Sequence, residues 1–279
     1  MEAKLVVENE NDYHSNKEIL SRSDLQNISV CPAYFKYMLD NPMEKTPALL
    51  FGSAFHKLVL EPDKFLESYA IAMQFDRRTK EGKEAYAKFQ EENKGKEIVS
   101  LTDFETMQQM AHSISENKCS TNILKDTLKE SSIYFTERNT DLDFKCRPDA
   151  YKIIDREDDK KIICVDLKTC ANADLDTIQR ETYKRGYDLQ AYVYRTGLSA
   201  LYNVREEDIS FIFVFIEKSA PYLVHNVCCS ESVFESGKNK FIKYANIYKD
   251  CKETNNWYGY AEDTMEDLDI PDYLLNKGE

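Results

Sequence analysis

The segment IICVDLKTC, residues 162–170, constrains the fold of this chain more than any other stretch. Apolar and β-branched residues precede and separate its two charged residues, which is typical of a buried β-strand. Asp166 and Lys168 lie two residues apart and therefore project from the same face of that strand. Because unpaired buried charges are costly, the two residues form either a structural ion pair or part of a functional site.

The length of 279 residues suits one large domain or two small ones, and 42% hydrophobic content is typical of a globular protein with a buried core. The first 18 residues lack the apolar segment of a secretory signal. No apolar run is long enough to cross a bilayer, so we expect no membrane partner. Together these features predict a cytoplasmic location.

The eight cysteines include no CxxC pair, and the chain has only four histidines. Both observations argue against a structural zinc site or an iron–sulfur cluster. A disulfide framework is also unexpected in a chain of this size without a secretory signal. We therefore expect reduced and mostly buried thiols.

The net charge of −13 argues, taken alone, against binding to nucleic acid. Much of the acidic charge is concentrated in the late segment YAEDTMEDLDIPD and in the loop DREDD. A local basic groove can exist on an acidic protein, so the net charge does not describe the functional surface.

The order of predicted elements indicates an α/β fold with a helical N-terminal region. We expect a loose arm at 1–18 and a single domain at 19–279, made of a mainly helical part (19–129), a catalytic α/β core (130–255) and a C-terminal tail (256–279). Ser23 is a plausible N-cap of the first helix, and Pro32 a plausible first-turn proline of the second. The strands of the core are predicted in SSIYFTER, DFKCRPDAYKII, KKIICVDLKTC, DISFIFVFIEK and YLVHNVCC.

A hairpin about the loop DREDDK would bring a second carboxylate to the central strand. If the two strands pair symmetrically, Asp149 falls opposite Asp166, and Arg147 falls opposite Lys168. Opposed Cβ atoms lie about 5 Å apart, so the two carboxylates would repel each other unless a cation lies between them. An oxygen-rich site suits Mg²⁺ or Mn²⁺. The spacing predicts metal-assisted hydrolysis, with Lys168 stabilising negative charge or orienting a water.

The alternative is an ordinary hairpin whose polar residues lie on a solvated face, since short patterns of this kind recur by chance. Three features favour the functional interpretation. The strand around Asp166 and Lys168 is apolar, the spacing allows the carboxylates to face each other, and a helix containing QAYVY follows.

The motifs CRPDAY, VDLKT and QAYVY resemble the pattern of PD-(D/E)xK nucleases in their RecB-like branch. With FGSAFHKLVLEP, ESSIYF and WYGY, the chain from about residue 20 to about 275 is similar to the nuclease domain of RecE-type recombination exonucleases, the exodeoxyribonuclease VIII family. The resemblance implies a restriction-endonuclease-like core, in which helices flank a central mixed β-sheet.

The resemblance also implies roles for individual residues. Asp149 and Asp166 would hold the metal, and Lys168 would be the catalytic lysine. His56 would contribute to the metal site, and Glu130 would be an acidic residue near it and a further candidate metal ligand.

Three further residues are candidates for contacts with DNA. Gln190 and Tyr194 match the QxxxY pair, which implies that they position the lysine and DNA and belong to the catalytic set. Judged by its helical spacing alone, Tyr194 would instead be a core residue. Arg147 could clamp a phosphate, and an ordinary salt bridge is the alternative.

The implied function is a Mg²⁺-dependent exonuclease that digests double-stranded DNA ends 5′ to 3′ and leaves 3′ overhangs for phage-type homologous recombination. The resemblance further implies a ring-shaped homo-oligomer, a tetramer, and a single-strand annealing protein as partner. One alternative is another RecB-like nuclease, serving repair or CRISPR adaptation. Another is a non-catalytic DNA-binding protein of the same fold, which the presence of Asp149, Asp166 and Lys168 disfavours.

Overall fold

The computed structural model describes residues 1–41, 45–73, 75–76, 78–156, 159–261 and 263–271. Its helices are α1 (Glu10–Ser15), α2 (Arg22–Val30), α3 (Pro32–Asp40), α4 (Pro47–Leu60), α5 (Phe65–Ser68), α6 (Lys80–Glu92), α7 (Leu101–Glu116), α8 (Lys118–Leu124), α9 (Leu175–Lys184), α10 (Tyr187–Tyr202) and α11 (Glu231–Thr254). Its strands are β1 (Lys4–Val6), β2 (Leu20–Ser21), β3 (Tyr69–Ala72), β4 (Glu97–Ser100), β5 (Leu128–Lys129), β6 (Ser132–Glu137), β7 (Leu142–Cys146), β8 (Ala150–Arg156), β9 (Asp159–Cys170), β10 (Ile209–Glu217) and β11 (Val224–Cys228).

The central sheet has the strand order β11-β10-β9-β8-β5 and is mixed. Strands β9 and β10 run parallel, whereas the other neighbours are antiparallel. A second sheet has the order β1-β6-β7-β2, and β3 pairs with β4 in a two-stranded sheet. The expected α/β fold, a mixed sheet flanked by helices, is therefore confirmed.

Strand β9 is buried on both faces, and its alternating side chains enter two different apolar clusters. Ile162 and Cys164 pack in a cluster with residues of α10 and α11. Val165 and Leu167 pack in a second cluster with residues of α4 and α7. Because a strand projects successive side chains to opposite faces, this continuous apolar pattern places helices on both sides of β9.

The predicted register of the β8–β9 hairpin is confirmed. Ala150 pairs with Val165, and the pairing continues symmetrically to the turn, of which residues 157–158 lie outside the described residues. Asp149 immediately precedes β8, so it lies one residue beyond the Ala150–Val165 pair and adjacent to Asp166 of the partner strand.

The single strand expected in DFKCRPDAYKII is instead two strands in different sheets, β7 and β8. Pro148 lies between them, and proline cannot donate a ladder hydrogen bond, so the chain leaves one sheet there and enters the other. The expected place of Arg147 opposite Lys168 is therefore wrong, because Arg147 lies in this connection.

Residues 1–18 differ from the expected loose arm. Strand β1 pairs with β6, and Tyr13 of α1 is buried. The Lys145 ammonium donates to the Tyr13 carbonyl at 2.6 Å and lies 4.8 Å from the centroid of the Tyr13 ring. The segment contributes one buried aromatic residue and a three-residue strand. So short an apolar sequence shows no periodicity, and this structure could not be predicted from it.

The N-cap of α2 is Ser21 rather than Ser23, because Ser21 and Asp24 form a reciprocal capping box. Pro32 occupies the first turn of α3, as expected. After α11, residues 255–261 and 263–271 form no helix or strand, and residue 262 and the end of the predicted tail lie outside the described residues. None of the described helices has the length and apolar character required to span a membrane.

Substitution of Gly237 tests the close packing of α11 against α10. A Cβ atom at this position would lie 2.2 Å from the backbone oxygen of Asp188, whereas one at Gly52 in α4 would meet nothing within 4 Å. We expect Gly237→Ala to lower the free energy of unfolding by about 1–3 kcal/mol. Gly52→Ala should raise it by about 0.5–1 kcal/mol through helix propensity. Urea unfolding followed by circular dichroism measures both, and shifts of equal sign would contradict the close approach.

Candidate active site

Two aspartates meet where β8 begins and β9 passes through the centre of the sheet. Asp149 Oδ2 accepts a hydrogen bond of 2.7 Å from the Leu167 amide, so its side chain reaches across to β9. Asp166 is 1% exposed, and its Oδ1 accepts a hydrogen bond of 2.5 Å from the Gln190 amide group. The expected proximity of the two carboxylates is thus present in the structure.

Asp166 is held in an environment that disfavours its charge. Burial is the main cause that raises its pKa, and the nearby charge of Asp149 raises it further, whereas Lys168 opposes the shift. The Lys168 ammonium is in ionic contact with Asp166 Oδ2, yet no described residue donates a hydrogen bond of good geometry to this buried oxygen. Asp166 Oδ2 could therefore bind a cation in addition to its contact with Lys168.

His56 projects from α4 toward the same place. Its Nδ1 lies 2.7 Å from the Gly52 oxygen, and its Nε2 lies 2.8 Å from the Leu167 oxygen and 3.1 Å from Asp149 Oδ2. Both ring nitrogens face acceptors, so both must donate and the ring must be protonated in this arrangement. Burial lowers the pKa of His56, but the charge of Asp149 and the hydrogen bond to it prevail and raise it to about 9.

These residues supply donors suited to a divalent cation. Carboxylate and carbonyl oxygens are the preferred ligands of Mg²⁺, and Asp149, Asp166 and the Leu167 carbonyl present them close together, beside the His56 imidazole. Within the described ranges, no three His, Cys, Asp or Glu side chains already stand at metal-binding spacing. The buried Asp166 Oδ2, whose ionic contact is the Lys168 ammonium, nevertheless fits a cation. The sequence analysis missed the Leu167 carbonyl, because a backbone atom leaves no signal in residue type.

Glu130 lies at the border of this site. It has a left-handed backbone conformation (φ 48°), and its amide donates to the Asp149 carbonyl at 3.2 Å. Burial, followed by the charge of Asp149, raises the pKa of Glu130, while Arg147 opposes the shift. The structure thus places Glu130 next to Asp149, and backbone strain of this kind is concentrated at functional sites.

Arg147 forms the salt bridge that was the alternative to a phosphate clamp. Its Nε donates to Glu130 Oε2 at 2.9 Å, and its Nη1 donates to Ser132 Oγ at 2.9 Å and to the Glu8 carbonyl at 3.1 Å. The guanidinium side chain is 14% exposed. Arg147 therefore holds Glu130 in place and links the active site to the N-terminal segment.

Helix α10 supplies the predicted QxxxY pair, and its two members have different surroundings. Gln190 reaches Asp166 directly. Tyr194 packs against Phe211, with ring centroids 6.1 Å apart, and burial raises its pKa well above the ordinary value. Tyr187, which the sequence analysis missed, lies three residues before Gln190 and faces Lys168 at 5.0 Å from its ring centroid. The i, i+3 spacing to Gln190 is the signal that could have identified it.

Comparisons with known proteins agree with this geometry. A family model described as a PDDEXK-like domain of unknown function (DUF3799) matches residues 21–265. The crystal structure of a protein from Eubacterium rectale, described as a "putative exonuclease", superposes with a TM-score of 0.61. The match covers 98% of this chain and 100% of that one at 16% sequence identity, which shows a common fold. A search of curated proteins finds no match.

The proton on His56 can be tested in metal-free protein kept in EDTA. We expect NMR titration to give a pKa of about 9 for His56, and Asp149→Asn to lower it, because the main raising influence is removed. Since the folded-state pKa is raised, the stability that this proton contributes is complete below the ordinary value of 6.5 and is lost as pH rises through about 9.

The exposed Asp155 of the same hairpin provides the control, since Asp155→Asn should leave the titration of His56 unchanged. A pKa of His56 that does not respond to Asp149→Asn would contradict the contact.

Proposed function

The chain belongs to the PDDEXK-like domain family, and on that premise we propose that it is a metal-dependent nuclease that hydrolyses phosphodiester bonds of DNA. The single observation that carries the proposal is the convergence of Asp149, Asp166, Lys168 and His56 at one point of the central sheet. An ordinary ion pair would need only Asp166 and Lys168. The adjacent Asp149 adds a second carboxylate, which makes the site suitable for a divalent cation.

The side chains have distinct tasks in this proposal. Asp149, Asp166 and His56 would hold Mg²⁺, or Mn²⁺ in its place, and His56 must release a proton before it can do so. A divalent cation held there would act as a Lewis acid toward the phosphodiester and a water. Gln190 fixes the orientation of Asp166. Lys168 offers its positive charge to the negative charge that develops on the phosphoryl oxygens.

The finer proposal is an exonuclease that degrades one strand of a DNA duplex from its 5′ end and leaves a 3′ overhang for recombination of the phage type. It is supported by the similarity of the motifs FGSAFHKLVLEP, ESSIYF, CRPDAY, VDLKTC and WYGY to RecE-type enzymes and by the name of the structural neighbour from Eubacterium rectale. The non-catalytic alternative is disfavoured, because Asp149, Asp166 and Lys168 are all present in the assembled site.

We also propose a ring-shaped homo-oligomer, a tetramer, since a closed ring would keep such an enzyme on its substrate. An acidic exterior around a basic channel would reconcile the net charge of −13 with DNA binding. A single-strand annealing protein as partner and a cytoplasmic location remain predictions. Light scattering of the purified protein tests the ring, and a monomer that still degrades long duplexes processively would contradict it.

The nuclease activity can be tested with an end-labelled linear duplex. We expect Mg²⁺-dependent release of the label that EDTA abolishes and that Asp166→Asn lowers by at least about 100-fold. The control is Asp155→Asn, which changes an exposed aspartate of the same hairpin and should retain full activity. Equal activities of the wild type and Asp166→Asn would contradict the proposed function.

End dependence separates an exonuclease from an endonuclease. We expect the enzyme to degrade a linearised plasmid and to spare its covalently closed form. On linear duplexes labelled at one terminus, a 5′ label should be released early and a 3′ label late. Cleavage of the closed circle would exclude the exonuclease proposal, and early release of the 3′ label would reverse its polarity.

A further inference from the structure

We propose that Tyr187 is a positioning residue for Lys168, whose ammonium it orients with the face of its aromatic ring. This inference rests on the proposed nuclease function, because it assigns Tyr187 a role in that reaction. Tyr187 does not belong to the QxxxY pair, and it acts through Lys168 rather than on the substrate.

The ammonium of Lys168 lies near two neighbouring aromatic rings. Its Nζ lies 5.0 Å from the ring centroid of Tyr187 and 5.6 Å from that of Phe213. The two ring centroids are 5.6 Å apart, and the ring planes meet at 41°. Both separations lie within the range of about 6 Å in which a cation is attracted to an aromatic face. The two neighbouring rings therefore form one aromatic surface beside the ammonium.

The backbone just before Tyr187 is held by contacts with residues that are distant in sequence. Gly186, just before α10, has a φ of +67°, and a Cβ atom there would lie 2.2 Å from Gln26 Oε1. Arg22 of α2 donates to the carbonyls of Arg185 and Gly186 at 2.6 and 3.2 Å. Helix α2 therefore fixes the turn from which the tyrosine projects.

One face of α10 serves both charged residues of β9. Tyr187 and Gln190 are three positions apart and therefore neighbours on the helix surface. Gln190 binds Asp166, while Tyr187 faces Lys168. Phe213 of β10 stands in register with Asp166, so the aromatic pair is built from both the helix and the sheet.

The ring face gives Lys168 a support that does not depend on the carboxylate. The ion-pair contact of its ammonium is with Asp166 Oδ2, a carboxylate oxygen of a proposed metal ligand. A lysine side chain is long and flexible, and it would lose its orientation if this were its only contact. The ring of Tyr187 does not compete for that oxygen, so it can keep the ammonium beside the reacting phosphate.

Steady-state kinetics on the labelled duplex test the role of the ring. We expect Tyr187→Leu to lower kcat roughly tenfold with KM nearly unchanged, and Tyr187→Phe to restore activity to within about twofold. The matched control is Tyr183→Leu, which removes a ring lying 3.7 Å from the ammonium of Lys240 and should leave kcat unchanged.

A spectroscopic measurement is independent of activity. Protons on Cε of Lys168 should show an upfield ring-current shift in NMR spectra of the wild type and of Tyr187→Phe. The shift should decrease in Tyr187→Leu and persist in Tyr183→Leu. Comparison with Lys168→Arg assigns the signal, and the wild-type spectrum alone decides the placement even if a variant does not fold.

The outcomes separate the two levels of the proposal. Absence of the ring-current shift in the wild type, or equal loss of kcat in Tyr187→Phe and Tyr187→Leu, would overturn the role of the ring. A clear shift in a wild-type protein without Mg²⁺-dependent nuclease activity would overturn the proposed function and, with it, the catalytic use of Tyr187.

Discussion

The repulsion between two neighbouring carboxylates governs the architecture around β9. Asp149 and Asp166 approach each other in a region where Asp166 is almost fully buried. Each surrounding polar group lowers the free-energy cost of this repulsion. The Leu167 amide and the His56 ring bind Asp149, whereas Gln190 and Lys168 bind Asp166. Because buried like charges are costly, the two carboxylates need positive charge close by, which the protonated His56 ring and the Lys168 ammonium supply.

Helices pack on both faces of the central sheet, so the groups that offset the repulsion between the two carboxylates come from both sides. Helix α4 packs on one face and supplies His56, while α10 packs on the other and supplies Gln190 and Tyr187. The second sheet contributes indirectly, since Arg147 leaves it to hold Glu130 beside Asp149. The candidate site thus draws its residues from the central sheet, from the helices on both of its faces and from the end of the second sheet.

Local sequence rules predicted most of the helices and strands. They failed where a single residue or a contact distant in sequence determines the course of the chain. Helices α2, α3 and α10 and the hairpin register were predicted from capping residues, spacing and turn position. The strand expected through DFKCRPDAYKII breaks at Pro148, since proline ends the ladder of one sheet, and Arg147 consequently pairs with Glu130. The N-terminal segment was expected to be loose because it is polar, whereas in the structure Tyr13 holds α1 in the core.

The sequence by itself determined that Asp166 and Lys168 share one face of a buried strand and that Asp149 lies beside Asp166. Both follow from the alternation of side chains and the symmetry of a hairpin, which are local properties of the chain. Only the tertiary structure decided that both nitrogens of His56 face acceptors, that the Leu167 carbonyl joins the site, and that Tyr187 faces Lys168. His56 and Leu167 are separated by 111 residues, and a contact across that distance depends on how helices pack on the sheet, which no local pattern encodes.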